Sequence, residues 1–122
     1  MTNIDETLAG RLKTYGEFKQ HAVIAQELKD PMYRAPRWRF LDPDMKEALE
    51  MVQHKIARIL NGDPTYLDNW HDIIGYTRLV EKRLEEQAQQ NKLEKIIQQI
   101  MDFNIPDKNI TVDKGLKTEV RL

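Results

Sequence analysis

Apolar positions along the chain recur mostly at three- and four-residue intervals, the spacing of one face of an α-helix, and this predicts an all-α bundle of four to five helices. Ile4, Leu8 and Leu12 define a first helix over about residues 3–14, which Gly16 ends or bends. Phe18, Ala22, Ala25 and Leu28 mark a second over about 17–29. Pro31 and Pro36 then bracket an irregular stretch, residues 30–40, in which Trp38 reads as a packing anchor. The clearest start signal is Asp42-Pro43, a capping carboxylate followed by a proline whose missing N–H costs nothing at the first helical position. That helix should run to Leu60 and stop at Asn61-Gly62, with Met45, Leu49, Val52, Ile56, Ile59 and Leu60 as its core stripe. Asp63-Pro64 or Asp68 opens the next, with Trp70, Ile73, Ile74, Thr77, Val80 and Leu84 on one face.

From Arg78 to Met101 there is neither proline nor glycine, and Glu81, Lys82, Glu85 and Glu86 suit pairing one turn apart. Leu93, Ile96, Ile97 and Ile100 restart the apolar stripe after a polar run, as one long helix or two short ones. The pattern changes after that. Ile110-Thr111-Val112, Asp113-Lys114-Gly115 and Val120 suit a hairpin, a tail or an arm to a neighbouring subunit. The expected division is a helical domain, 1–103, and a C-terminal extension, 104–122.

A chain of 122 residues can bury one core with little to spare. Its net charge of −1 supplies no global field toward nucleic acid or an anionic membrane. Lys29, Arg34, Arg37 and Arg39, interleaved with Tyr33, Trp38 and Phe40, form only a local basic cluster. The absence of cysteine excludes disulfides, thiolate metal sites and cysteine nucleophiles, and fits a reducing cytosol. No apolar run approaches the ~18 residues of a membrane span, and the N-terminus lacks the basic and apolar regions of a signal peptide. A soluble, cytoplasmic protein is expected.

Candidate chemistry lies on the two central helices. At about 100° per residue, Glu47, Glu50 and His54 share a narrow arc bordered by Arg58, and Asp68, Asp72, Gly75 and Leu79 share one on the next helix. Carboxylates clustered on adjacent helices are what Mg²⁺ requires, since it takes oxygen ligands and keeps waters that leave room for phosphates. Lys55 and Arg58 would supply charge to phosphate oxygens. The plainer reading is that Glu47, Glu50 and His54, lying opposite the apolar stripe, face water. Gly75 costs about 1 kcal/mol against alanine inside a helix, for close packing or to make room for a base or sugar. His21, His54 and His71 lack the local spacing of a zinc motif.

Several of these stretches resemble a family of small uncharacterised phage and prophage proteins: Tyr15-Gly16-Glu17-Phe18 with His21, Glu47-Ala48-Leu49-Glu50-Met51, Lys55-Ile56-Ala57-Arg58-Ile59-Leu60-Asn61-Gly62-Asp63, Asp68-Asn69-Trp70-His71-Asp72-Ile73 and Gly75-Tyr76. The resemblance spans about residues 6–84. A more distant one is to the MazG-like, all-α nucleotide pyrophosphohydrolases. These bind Mg²⁺ through Glu-x-x-Glu on one helix and Glu-x-x-Asp on the next, and cleave nucleoside triphosphates to monophosphates and pyrophosphate. Glu47-Ala48-Leu49-Glu50 matches the first pair; in the second, Asn69 stands three before Asp72 and Asp68 four before it.

The resemblance implies Glu47, Glu50, Asp68 and Asp72 as ligands to Mg²⁺ or Mn²⁺. It further implies catalytic roles for Glu47, Glu50 and Asp72, substrate contacts from Lys55, Arg58, Tyr76 and Tyr15, and assembly as a dimer or tetramer. If phage-encoded, the protein would work in the host cytoplasm. The alternative is a non-enzymatic phage accessory protein that binds a host protein or sequesters a nucleotide, with the same faces serving as interface.

Overall fold

The structure is a computed structural model that describes residues 3–104, and those residues form an all-α fold. Helix α1 spans Ile4–Tyr15, α2 Phe18–Arg34, α3 Pro43–Asn61 and α4 Leu67–Asn104, with a single 3₁₀ turn, Trp38–Phe40, between α2 and α3. The hairpin proposed for the C-terminal extension lies outside the described residues. The chain divides into two compact units, residues 1–81 and 82–122, so the boundary falls within α4.

In the first unit, Asn3 caps α1 by accepting the Glu6 N–H on its side-chain oxygen at 2.9 Å. Helices α2 and α3 pack together as the main contact, and α1 touches both. They run antiparallel: the Asn61 amide at the end of α3 reaches Glu17 at the start of α2, whereas Gln53 of α3 meets Met32 near the end of α2. Two expectations about α2 need revision. The helix continues through Pro31 to Arg34 rather than stopping before it, because the loss of one N–H near the last turn is outweighed by packing against α3. The irregular stretch shortens accordingly, and Trp38 packs edge-on against Tyr33 at 5.2 Å, anchoring the 3₁₀ turn to α2.

Helix α3 begins at Pro43 and ends before Gly62 as its sequence signals require, although the Asp42 side chain makes no cap hydrogen bond. Before α4, Asp63 accepts the N–H and hydroxyl of Thr65 at 2.9 and 2.6 Å, forming a tight turn. The Trp70 indole donates to the Pro64 carbonyl at 2.8 Å and holds that turn against the first turn of α4.

Of the predicted apolar stripes, Ala25 is buried and Met45, Val52, Ile56 and Ile59 are half-buried. Ala25, Ala48 and Ala57 are the buried hydrophobic positions, accompanied by His21, Lys55 and Asn69. Ile4, Leu8 and Leu12 of α1 are exposed, as are Phe18, Leu49, Leu60, Trp70 and Ile74. The helices of this unit therefore meet through small and polar side chains, which let backbones approach closely, and leave much of their large apolar surface uncovered.

Two glycine-bearing turns clasp each other. Gly16 adopts φ 78°, ψ −174°, a conformation confined almost wholly to glycine, and a Cβ there would lie 2.1 Å from the Asn61 carbonyl oxygen. Gly62 is crowded in the same way by the Thr14 carbonyl and the Tyr15 backbone. Asn61 Nδ2 donates to the carbonyls of Tyr15 and Glu17 at 3.0 and 2.9 Å, and the Asp63 N–H donates to Thr14 at 2.8 Å. These bonds satisfy carbonyls left open where α1 ends and bring the start of α2 to the end of α3.

Residues 82–104 of the second unit continue α4 as a helix with a largely polar surface. Arg83 donates to Gln87, Gln90 to Glu94 and Gln98 to Asp102, each one turn apart. Leu93, Ile96 and Ile100 are exposed along it. No helix among the described residues is long and apolar enough to cross a membrane.

Candidate functional site

The side chains expected to carry chemistry fall into two groups within residues 1–81. The first is built where α4 meets α3. Lys55, only 8 % exposed, places its ammonium 2.8 Å from Asp72 Oδ2. That hydrogen bond holds the Asp72 carboxyl below the usual carboxylate range against the opposing effect of partial burial, with His71 and Arg58 adding to the lowering. The packing of the start of α4 on α3 brings the two together. Lys55 lies one residue after His54, at the edge of the polar arc, and Asp72 lies one turn after Asp68 on α4.

Arg58 extends this group toward α1. Its guanidinium lies over the Tyr15 ring at 4.1 Å, a cation–π contact. Tyr15 stands edge-on to Tyr66 at 5.8 Å, and the Tyr66 hydroxyl donates to Asp68 Oδ2 at 3.2 Å. That bond and the Asp68 charge raise the Tyr66 phenol above its ordinary value. Arg58, Tyr15, Tyr66 and Asp68 are thus joined through successive contacts, and the Arg58 charge acts on the Lys55–Asp72 pair. Tyr76, half-buried one turn beyond Asp72, lies on the same helix.

The second group faces the opposite end of α2. Glu50 is half-buried beside Tyr33, and burial together with this carboxylate raises the Tyr33 phenol. Glu47, exposed, adds to that field from one turn earlier. The four carboxylates expected to share a metal ion are therefore engaged in two places: Glu47 and Glu50 near Tyr33, Asp72 on Lys55 and Asp68 on Tyr66. Among the described residues no group of three or more His, Asp or Glu side chains is gathered closely enough to hold a metal ion.

Two further features were not legible as parts of a site. His21 and His54 meet across α2 and α3, with Nε2 of one 3.4 Å from Nδ1 of the other and the rings nearly perpendicular. His54 therefore turns inward, where its phase had suggested water. Desolvation, followed by the charges of Arg58 and others, lowers both imidazoles, His54 to about 4. Both are neutral at pH 7. Their spacing of 33 residues carries no motif. Asn69, which stands where the hydrolase pattern has a glutamate, is the most deeply buried large side chain, 1 % exposed, and its Nδ2 has no hydrogen-bond partner.

The histidine pair lines a cavity of about 780 Å³ between α1 and the α2–α3 pair. Leu8, Leu12, Tyr15 and Phe18 give it apolar and aromatic walls, and Arg58 is also part of its lining. No family model matches the sequence, and no curated protein or solved structure does so either.

Proposed function

We propose that the protein acts on nucleotides, binding a nucleoside triphosphate or a related nucleotide as a MazG-like pyrophosphohydrolase that uses Mg²⁺ or Mn²⁺. The observation that carries the binding half is the contact between Lys55 of α3 and Asp72 of α4, with Arg58 and Tyr15 beside it. It joins the two helices on which the acidic motifs lie, and Arg58 over the Tyr15 ring sets a cation against an aromatic face, a combination suited to phosphate and base. The hydrolytic half is supported by the Glu47-x-x-Glu50 motif and the Asp68/Asp72 face.

Within one chain the carboxylates do not form a single oxygen shell, since Glu50 and Asp72 have separate partners. What the chain's own groups do is simpler. Lys55 holds Asp72 ionised, Arg58 offers a guanidinium to an anionic group, and Tyr66 fixes Asp68. A second copy of the chain, covering the exposed apolar faces, is the means we propose for bringing carboxylates together.

The test is a panel of nucleoside triphosphates with Mg²⁺ or Mn²⁺, scored for pyrophosphate release. Glu50→Gln and Asp72→Asn should each lower the rate on the order of 100-fold or more while the fold persists. Nucleotide binding without turnover would select the second reading, a protein that sequesters nucleotides, which the neutralisation of Asp72 by Lys55 favours. Neither binding nor turnover would leave the host-protein partner.

A further inference from the structure

The cavity between α1 and the α2–α3 pair has the size of a small-molecule site, since such sites typically enclose about 300–1,000 Å³. Its chemistry is two-sided. Leu8, Leu12 and Phe18 offer apolar surface, and Phe18 is 79 % exposed, far more than a packing role requires. The Phe18 ring lies 6.0 Å from His21 with the planes tilted by 32°, so two flat rings stand close together at one wall.

The polar end is the histidine pair. The charges acting on it from the packed helices are Arg58 and Lys55 on α3 and Lys29 on α2, all cationic; Glu17 is the carboxylate in the lining. A ligand matching this cavity carries a flat, largely apolar ring and an anionic group. The pair adds a further property. Whichever imidazole donates the proton they share, His54 Nε2 is left outside the contact and is an N–H donor in one tautomer and an acceptor in the other. Such a nitrogen can meet either type of group on the edge of a heteroaromatic ring.

We infer that this cavity is the seat of the nucleobase, with Phe18 and Tyr15 against its faces, His54 Nε2 at its edge and Arg58 toward the phosphates. The inference rests on the nucleotide reading above and deepens it. Arg58 supplies the link, because it lines the cavity while its charge acts on Asp72. The base would thus sit on the α1 side of Arg58, with the phosphates on the Lys55–Asp72 side.

The experiment compares the full chain with Leu8→Trp, which fills the cavity from an exposed position, and with Phe18→Ala, which removes a wall. Nucleoside monophosphates and inorganic pyrophosphate are titrated in turn, without metal, while the ring-proton resonances of His21 and His54 are followed by NMR. The expected result is that monophosphates shift both histidines and bind at least about tenfold more weakly to each variant, whereas pyrophosphate affinity is unchanged. Monophosphate binding that neither shifts the histidines nor responds to either variant would overturn the inference and leave the nucleotide reading intact. If Leu8→Trp changes the sedimentation mass but not nucleotide binding, the cavity belongs to a second copy's helix and the inference is overturned. Base binding in the cavity without pyrophosphate release in Mg²⁺ would uphold the seat and overturn only the hydrolytic reading.

Discussion

His54 and His21 make the α2–α3 contact sensitive to acid. Both imidazoles are held below the ordinary value of 6.5, His54 at about 4, because desolvation and the nearby cations oppose their protonation. Between those values the unfolded chain binds protons that the folded chain does not, so stability falls as pH drops from about 6.5 toward 4. Above 6.5 both states are neutral and the contribution is fully present. Thermal unfolding across this range should show Tm declining with acid, and His54→Gln should flatten that decline. The glycine clasp offers a second test. Gly16→Ala forces a side chain into a glycine-only conformation against the Asn61 carbonyl, costing about 1–3 kcal/mol. Asn61→Ala removes two hydrogen bonds to the α1–α2 turn, a loss of about 1–3 kcal/mol. Denaturant titration measures both, and wild-type stability in either variant would show that the clasp contributes little.

Among the helices, α3 was the most legible in the sequence and α2 the least. Asp42-Pro43 and Asn61-Gly62 are local signals, and local chemistry is enough to start and stop a helix. Pro31 predicts a boundary because proline usually ends a helix, yet α2 runs through it to Arg34. Helix α4 is one continuous helix, as the absence of proline and glycine after Arg78 allows. Its one interior glycine, Gly75, has open space on the side a Cβ would occupy, so close packing between the helices described does not explain it. Gly75→Ala should therefore stabilise α4 by about 1 kcal/mol, read as a rise in Tm. If the same variant weakens nucleotide binding or self-association, the space at Gly75 is used by a ligand or a second copy.

For the whole molecule, the location of apolar surface matters most. Leu60 and Ile74 are each more than three-fifths exposed, and Leu49 and Trp70 are also open. Large apolar side chains left open in this number point to a binding or assembly surface. Sedimentation should find a dimer or tetramer, and Tm should rise with protein concentration across about a 100-fold range, as mass action requires. Leu60→Glu combined with Ile74→Glu should shift the protein to the monomer. A wild-type monomer with a concentration-independent Tm would remove the assembly proposed to unite the carboxylates.

The all-α class and the extent of α3 are readable in the sequence, because each depends on residue type and helical phase within a short span, whereas the separation of Glu47 and Glu50 from Asp68 and Asp72 is not. The face of α2 that carries Ala25 is readable too; which face of α3 lies inside is not. Hydropathy assigned the stripes of large aliphatic residues to the core, whereas the helices meet through alanines, His21, Lys55 and Asn69. The His21–His54 pair, the Gly16–Asn61–Gly62 clasp and the ion pair between Lys55 and Asp72 join positions 17 to 46 residues apart. Only the packing of α1, α2, α3 and the start of α4 decides those contacts, since nothing in the local chain encodes the distance between them.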